Sequence, residues 1–217
     1  MFKFKPRIKI CGITTVDQAI QIADLGVDAI GIICVKESPR YIPHENKIEI
    51  FQELAKYYPE LKRVSVYKDS PLDIFRQINN YKFNENVIQL HGDENLDYCK
   101  EIKGLIPEIE IWKAFRLKSN DQLKHIKSYE NLVDAILLDS WNKEIYGGTG
   151  QKIEGIDLSR IKMTKPWWLA GGVSLDWIDE IMNTIKPNGI DISSGVEISA
   201  GVKDLLKVRK LIEKVRG

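Results

Sequence analysis

Residues Ile8-Lys9-Ile10-Cys11-Gly12-Ile13-Thr14 decide the fold prediction for this chain. The stretch is typical of a short buried strand that carries a cysteine at its carboxyl end and turns at a glycine into a helix. In a barrel of parallel strands, the carboxyl end of each strand is where the chemistry takes place. The pattern therefore makes Cys11 a candidate base or nucleophile.

Seven further apolar runs follow along the chain, separated by longer stretches with helical periodicity. The predicted strands are Ile8–Cys11, Ala29–Ile33, Arg63–Tyr67, Val87–His91, Glu110–Phe115, Ala135–Asp139, Trp167–Ala170 and Gly189–Ile192. The predicted helices are Val16–Leu25, Lys47–Tyr57, Pro71–Asn80, Asn95–Gly104, Asp121–Tyr129, Leu175–Ile185, Lys203–Val215 and a weak sixth, Gly155–Ile161. Thr14-Thr15, Ser70-Pro71 and Ser174 are the helix start signals.

The regular alternation of strands and helices predicts the fold class. Units of roughly 25–30 residues without linker or repeat favour an α/β protein with a single (β/α)₈ barrel of parallel strands. This one domain is expected to span residues 1–217. A doubly wound open sheet is the alternative, because pattern alone does not prove that the sheet closes.

The composition excludes several classes of protein. Lys and Arg number 32 against 31 Asp and Glu, and no basic run marks a surface for nucleic acid. No apolar stretch approaches the roughly 20 residues that cross a bilayer, and the charged first residues do not resemble a signal peptide. The three scattered cysteines lack CxxC spacing, which argues against disulfides or zinc and suits a reducing compartment. We expect a soluble, cytoplasmic protein that binds no metal, nucleic acid or membrane.

Alternation along the predicted strands separates side chains that face the barrel interior from those that face the helices. If the apolar positions pack under the helices, six polar or reactive side chains point inward: Lys9, Cys11, Gln89, His91, Asp139 and Asp191. Buried polar groups cost a few kcal/mol each unless they are paired or used. Their concentration in one interior indicates a functional site.

Each of these residues also has a structural interpretation. A cysteine at the end of a buried strand is more often a small packed hydrophobe than a reactive group, which applies to Cys11 taken alone. Asp139 could equally well cap the loop that follows it, and His91 could satisfy loop carbonyls. Lys9 is expected to form a buried ion pair, with Asp191 as the candidate partner, rather than to react directly. A second hypothesis for Lys9 is that its charge favours the thiolate of Cys11.

Glycines after the last two predicted strands provide a second signal. Gly171-Gly172 directly follow the seventh strand, and Ser193-Ser194-Gly195 directly follow the eighth. In a barrel these two loops form the usual phosphate cradle, because glycines let backbone N–H groups approach an anion. Two ordinary tight turns are the alternative.

Two further loops have candidate roles. Gly147, Gly148 and Gly150 lie in the long loop after the sixth strand, outside the strand-to-helix context of a nucleotide-binding fingerprint. We expect this loop to act as a lid over a ligand, with an ordinary exposed loop as the alternative. Arg40 follows the second strand, where its guanidinium can hold a carboxylate in a two-point fork.

Taken together, the motifs resemble the phosphoribosylanthranilate isomerase family along the whole chain and in order. The residues that carry the resemblance are Lys9-Ile10-Cys11-Gly12-Ile13-Thr14, Gly31 to Ser38-Pro39-Arg40, Gln89-Leu90-His91-Gly92-Asp93-Glu94, Leu137-Leu138-Asp139 with Gly147-Gly148-Thr149-Gly150, Leu169-Ala170-Gly171-Gly172, and Asp191-Ile192-Ser193-Ser194-Gly195-Val196-Glu197 with Gly201 and Lys203-Asp204.

The resemblance implies a (β/α)₈ barrel that isomerises N-(5-phosphoribosyl)anthranilate in tryptophan biosynthesis. The reaction is an Amadori rearrangement, an internal redox step that needs no cofactor. By the family's pattern Cys11 is the general base and Asp139 the general acid, and Arg40 contacts the anthranilate carboxylate. Gln89, His91 and Asp191 are expected to contact the substrate, and Gly171, Gly172, Ser194 and Gly195 its phosphate.

Two other functions remain open from the sequence. The related histidine-biosynthesis isomerase performs the same rearrangement on a substrate with two phosphates, but it carries an aspartate as the first-strand base, which Cys11 argues against. A non-catalytic phosphate-binding barrel is the second alternative. The oligomeric state is expected to be a monomer or a homodimer.

Overall fold

Eight short strands pair in chain order, and the last pairs back with the first. They are β1 Arg7–Cys11, β2 Ala29–Ile33, β3 Lys62–Tyr67, β4 Val87–Leu90, β5 Glu110–Arg116, β6 Ala135–Asp139, β7 Trp167–Ala170 and β8 Gly189–Ile192. All eight pairings are parallel, so the sheet is a closed barrel and the open-sheet alternative is excluded. This computed structural model describes residues 5–81, 84–117, 119, 122–139 and 158–217.

Helices cover the outside of the barrel between successive strands. They are α1 Val16–Asp24, α2 His44–Tyr57, α3 Leu72–Tyr81, α4 Leu96–Leu105, α5 Gln122–Lys127, α6 Ile178–Glu180 and α7 Leu205–Arg216. The start signal before α1 is confirmed, because the Thr15 side chain accepts a hydrogen bond from the Gln18 amide at 3.3 Å. In the described part of the chain no helix has the length and apolar character needed to cross a membrane.

The connections before and after β7 differ from the prediction. Of the weak sixth helix, only a 3₁₀ turn at Leu158–Arg160 falls within the described residues. The predicted start at Ser174 is wrong: α6 begins at Ile178, and its cap residue Trp177 offers no side-chain acceptor. A π-helical turn at Ile181–Ile185 follows directly and ends at a left-handed residue.

The buried side chains form two clusters, one under the helices and one inside the barrel. Inside, the rings of Trp112 and Trp168 pack against each other with centroids 4.7 Å apart. Gly189 makes room for this pair, because a β-carbon there would lie 2.3 Å from Trp168 Cε3. The two indoles are tilted by 30° and belong to the inner cluster, and the polar side chains lie nearer the carboxyl ends of the strands.

A short hairpin follows β8 and completes that end of the barrel. A 3₁₀ turn at Ser194–Val196 leads into β9, Glu197–Ser199, which pairs antiparallel with β10, Val202–Lys203. The hairpin brings Glu197 and Lys203 side by side.

Candidate active site

Lys9 lies at the centre of a polar cluster inside the barrel. Its ammonium donates to Asp191 Oδ2 and to Gln89 Oε1, each at 2.8 Å. Lys9 is fully buried, and both partners are nearly so. The predicted ion pair between Lys9 and Asp191 is therefore confirmed, and it joins β1 to β8, while Gln89 brings in β4 on the other side of the barrel.

A second pair of contacts continues from Gln89 towards the surface. Gln89 Nε2 lies 3.0 Å from His91 Nδ1, and His91 Nε2 lies 3.3 Å from Asp139 Oδ2. The side chains of His91 and Asp139 are 25% and 17% exposed, so the row of hydrogen bonds opens to solvent at this end. The structure thus brings together five of the six side chains predicted to point inward.

Cys11, the sixth, ends β1 on the same inner face as Lys9. The thiol is 6% exposed, and burial raises its pKa above the ordinary value of 9.0. The ammonium groups of Lys9 and Lys203 act in the opposite direction and lower this pKa, but burial outweighs them. The charge of Lys9 therefore acts in the predicted sense, yet Cys11 at rest is a thiol.

The room for this thiol comes from the neighbouring strand. Gly31 pairs with Cys11 in the register of β1 and β2. A β-carbon on Gly31 would lie 2.6 Å from Cys11 Sγ and 3.0 Å from Lys9 Cε. Only glycine at this position leaves both side chains where they are.

Arg40 is held by a carboxylate of the protein itself. Its Nε and Nη2 donate to the two oxygens of Glu197 at 2.8 and 2.6 Å, and Lys203 Nζ approaches Glu197 Oε1 at 2.6 Å. Burial alone would raise the pKa of Glu197, but the hydrogen bonds from Arg40 and Lys203 lower it to about 2. Arg40 also packs over Gly12, where a β-carbon would lie 2.5 Å from Arg40 Cδ.

The two glycine loops predicted to bind phosphate meet at the same end of the barrel. Gly171 and Gly172 have φ of +83° and +70°, which glycine adopts without strain. A β-carbon on Gly195 would lie 2.2 Å from the carbonyl oxygen of Val173, so the loops after β7 and β8 are in contact. Within the described ranges, the amide N–H groups of Gly172, Ser194 and Gly195 have no hydrogen-bond acceptor.

The predicted lid cannot be placed on this arrangement. Gly147, Gly148 and Gly150 lie outside the described residues. Their role stays a prediction.

Comparison with known proteins places this barrel in a family. The family model described as N-(5'phosphoribosyl)anthranilate (PRA) isomerase matches residues 8–214. The chain belongs to this family. It is 41% identical over 213 residues to the N-(5'-phosphoribosyl)anthranilate isomerase of Acaryochloris marina, with 96% of this chain and 97% of that protein covered.

Solved structures of family members have the same fold. The phosphoribosyl anthranilate isomerase of Thermotoga maritima is 29% identical, with a TM-score of 0.83 over 98% of this chain and 99% of that one. A second crystal structure, in complex with reduced 1-(o-carboxyphenylamino)-1-deoxyribulose 5-phosphate, is 26% identical with a TM-score of 0.79 over the same shares. The family resemblance and the barrel fold are thereby confirmed, and the chain is an isomerase of tryptophan biosynthesis.

Three residues of the site were not recognised from the sequence. Glu197 and Lys203 lie in the motifs that carry the family resemblance, but no role follows from their type until the hairpin pairs them beside Arg40. Gly31 is conspicuous only as a glycine inside an apolar strand, a pattern that signals close approach of a neighbour. The glycine therefore marked β2 as the strand that a neighbouring side chain, Cys11, approaches closely.

Proposed function

We propose that this chain converts N-(5-phosphoribosyl)anthranilate into 1-(2-carboxyphenylamino)-1-deoxyribulose 5-phosphate by an Amadori rearrangement, with Cys11 as general base and Asp139 as general acid. The observation that carries the proposal is the row of hydrogen bonds from Lys9, the neighbour of Cys11, through Gln89 and His91 to Asp139. The row supports the proposal because it links the strand that carries the thiol, β1, to the strand that carries the carboxyl group, β6.

The acid acts in the first step. Asp139 gives its proton to the ribose ring oxygen as the bond from that oxygen to C1′ breaks. The lone pair of the anthranilate nitrogen then forms the C1′=N bond of a protonated Schiff base. Asp139 is left as a carboxylate, with His91 Nε2 3.3 Å from one of its oxygens.

The base acts in the second step. The Cys11 thiolate removes the proton from C2′, the electrons of that C–H bond form C1′=C2′, and the nitrogen regains its lone pair. The resulting enolamine becomes the amino ketone when its 2′-hydroxyl loses a proton and C1′ gains one. Burial disfavours the thiolate and the Lys9 ammonium favours it. Because Asp191 pairs with this ammonium, the ion pair influences how readily Cys11 acts as a base.

Other residues of the site would hold the substrate. Arg40 uses Nε and Nη2 on Glu197, so Nη1, which has no partner in the described ranges, is left for the anthranilate carboxylate. Gly171, Gly172, Ser194 and Gly195 would hold the phosphate through backbone N–H groups. Asp191 Oδ1 has no hydrogen-bond partner among the described residues and would accept from a sugar hydroxyl. Gln89 is 1% exposed, so we propose that it acts on the substrate through His91.

Two variants test the roles of acid and base. Cys11→Ser and Asp139→Asn should each lower kcat by at least about 10²-fold, with smaller changes in KM, because each removes a proton-transfer group. Turnover is followed by the loss of the substrate's anthranilate fluorescence. Cys99→Ala, a buried thiol on α4, is the control and should keep the wild-type kcat.

The remaining outcomes separate the alternatives. Near-native turnover by either variant would remove that residue from the mechanism, and an unchanged KM for Arg40→Ala would contradict the carboxylate contact. Turnover of the histidine-pathway substrate alone would identify the related isomerase. Binding of the anthranilate substrate by the wild type without turnover would indicate a non-catalytic barrel.

The cellular setting is part of the proposal. A base that works as a thiolate must stay reduced, which suits the cytoplasm, and Cys11, Cys34 and Cys99 are all free. We propose that residues 1–217 work there as one domain, in a monomer or a homodimer.

A further inference from the structure

In the row of hydrogen bonds that runs from Lys9 through Gln89 and His91 to Asp139, the chemistry of each group decides which atom donates and which accepts. The Lys9 ammonium has three donors and no acceptor, so the Gln89 atom that faces it must be the carbonyl oxygen Oε1. The other end of that amide is then the NH₂ group, which donates. The atom it meets, His91 Nδ1, must therefore accept.

The same reasoning fixes the proton of His91. An imidazole whose Nδ1 accepts a hydrogen bond is neutral and carries its proton on Nε2. Nε2 lies 3.3 Å from Asp139 Oδ2, so its N–H donates a hydrogen bond to this oxygen. Starting at the buried Lys9 ammonium, each group in the row therefore donates a hydrogen bond to the next one towards the surface.

We infer that Gln89 is a positioning residue that holds His91 in the Nε2–H tautomer, so that His91 donates a hydrogen bond to Asp139. This inference rests on the proposed acid role of Asp139. It assigns Gln89 a function beyond contact with substrate, and that function follows from the burial of Gln89 between two fixed partners.

The tautomer matters because Asp139 gains a negative charge when it gives up its proton. A hydrogen bond donated to a carboxylate is stronger than one donated to the neutral acid, so the bond from His91 strengthens as the ribose ring opens. The opposite tautomer would present a lone pair to Asp139 and compete with the ring oxygen for its proton. With Oδ2 accepting from His91, the proton to be transferred belongs on Oδ1.

Nitrogen NMR of the imidazole rings tests the tautomer without any measurement of activity. The chain has three histidines, so the His91 signals are identified by their loss in a His91→Gln variant. At about pH 8, wild-type His91 should show a protonated Nε2 and an unprotonated Nδ1. A protonated Nδ1 in the wild type would overturn the inference.

Variants of Gln89 test whether this residue sets the tautomer of His91. Gln89→Met keeps the length of the side chain but removes the donor, so His91 should become a mixture of tautomers. Gln89→Glu replaces the donor by an acceptor and should move the proton to Nδ1. Gln52→Met, on the exposed side of α2, is the matched control and should leave the His91 signals unchanged.

Kinetics then separate this inference from the proposed function. Gln89→Met should lower kcat by at least about tenfold with little change in KM, and should cause no further loss in an Asp139→Asn background, because both changes act on one group. If Gln89→Met keeps both the Nε2–H tautomer and the wild-type kcat, the inference is overturned. If Asp139→Asn keeps its turnover, the acid role fails, while the NMR result still decides the tautomer. Should Gln89→Glu fail to fold because of its added charge, Gln89→Met alone decides both points.

Discussion

Arg40 and Glu197 form a two-point ion pair although 157 residues separate them in the sequence. Both oxygens of Glu197 accept from Arg40, and Oε1 also accepts from Lys203 Nζ at 2.6 Å and from the Gly201 amide at 3.2 Å. A carboxylate with four donors fixes the guanidinium in one orientation beside Gly12. β2 and β8 both pair with β1, so this ion pair joins the loop after β2 to the hairpin after β8 beside the end of β1.

The pH dependence of stability should report this carboxylate. The pKa of Glu197 is about 2 in the fold against an ordinary value of 4.5, so the ionised form stabilises the native state above about pH 4.5. That contribution should be lost as the pH falls from 4.5 towards 2. In urea unfolding, Glu197→Gln should therefore be less stable than the wild type at pH 7, and the difference should shrink through this window. A difference that stays constant down to pH 2 would contradict the assignment.

The pKa of Cys11 is shifted in the opposite direction from that of Glu197, because burial outweighs the neighbouring charges at the thiol. The rate at which the thiol reacts should report this shift. Burial raises the pKa of this thiol above 9.0, so its thiolate is scarce at neutral pH and increases with pH. We expect the rate of Cys11 alkylation by iodoacetamide, followed by peptide mass spectrometry, to be still rising at about pH 9. The urea-unfolded chain is the control, and there the rate should level off nearer the ordinary thiol pKa. A native-state plateau at or below that value would show that the lysine charges outweigh burial.

Gly31→Ala should impair the general base from the neighbouring strand, β2. The added carbon would lie 2.6 Å from Cys11 Sγ, and a short buried side chain has little freedom to move away. We expect kcat to fall by at least about tenfold, because the thiol is displaced from the position that proton abstraction requires. Gly104→Ala on α4 is the matched control: nothing lies within 4 Å of its added carbon, and it should keep the wild-type kcat. Equal turnover by the two variants would show that the site tolerates the displacement.

The strands and the inward residues were predictable because both depend on local patterns. An apolar run marks a strand buried on both faces, and alternation with period two assigns each side chain to one face. The prediction that Lys9 and Cys11 share the inner face of β1 is confirmed, because Lys9 contacts Gln89 and Asp191 and Cys11 belongs to the inner cluster of buried side chains. No knowledge of distant parts of the chain was required.

The partners of these residues were less predictable, because they depend on register and on long-range assembly. That Gly31 faces Cys11 follows from the pairing of β1 with β2, which the strand pattern alone does not set. The pairing of Arg40 with Glu197 needs the hairpin β9–β10, which is too short to show in the sequence. The start of α6 was misplaced for a related reason: Ser174 has the residue type of a cap, but the chain turns into the helix three residues later, after Trp177.

A buried ion pair outside the barrel gives a test of the fold itself. Lys47 on α2 is 1% exposed, and its ammonium lies 2.8 Å from Glu85 Oε1. Removing one member of such a pair leaves the other charge buried without compensation, at a cost of about 3–5 kcal/mol. Lys47→Met should therefore lower the free energy of unfolding in urea by about that amount, and adding Glu85→Leu should restore most of it. Lys62→Met, which breaks the half-exposed pair with Glu110, is the control and should cost less than about 1 kcal/mol. Equal losses from Lys47→Met and Lys62→Met would mean that water reaches Glu85 and relieves the charge.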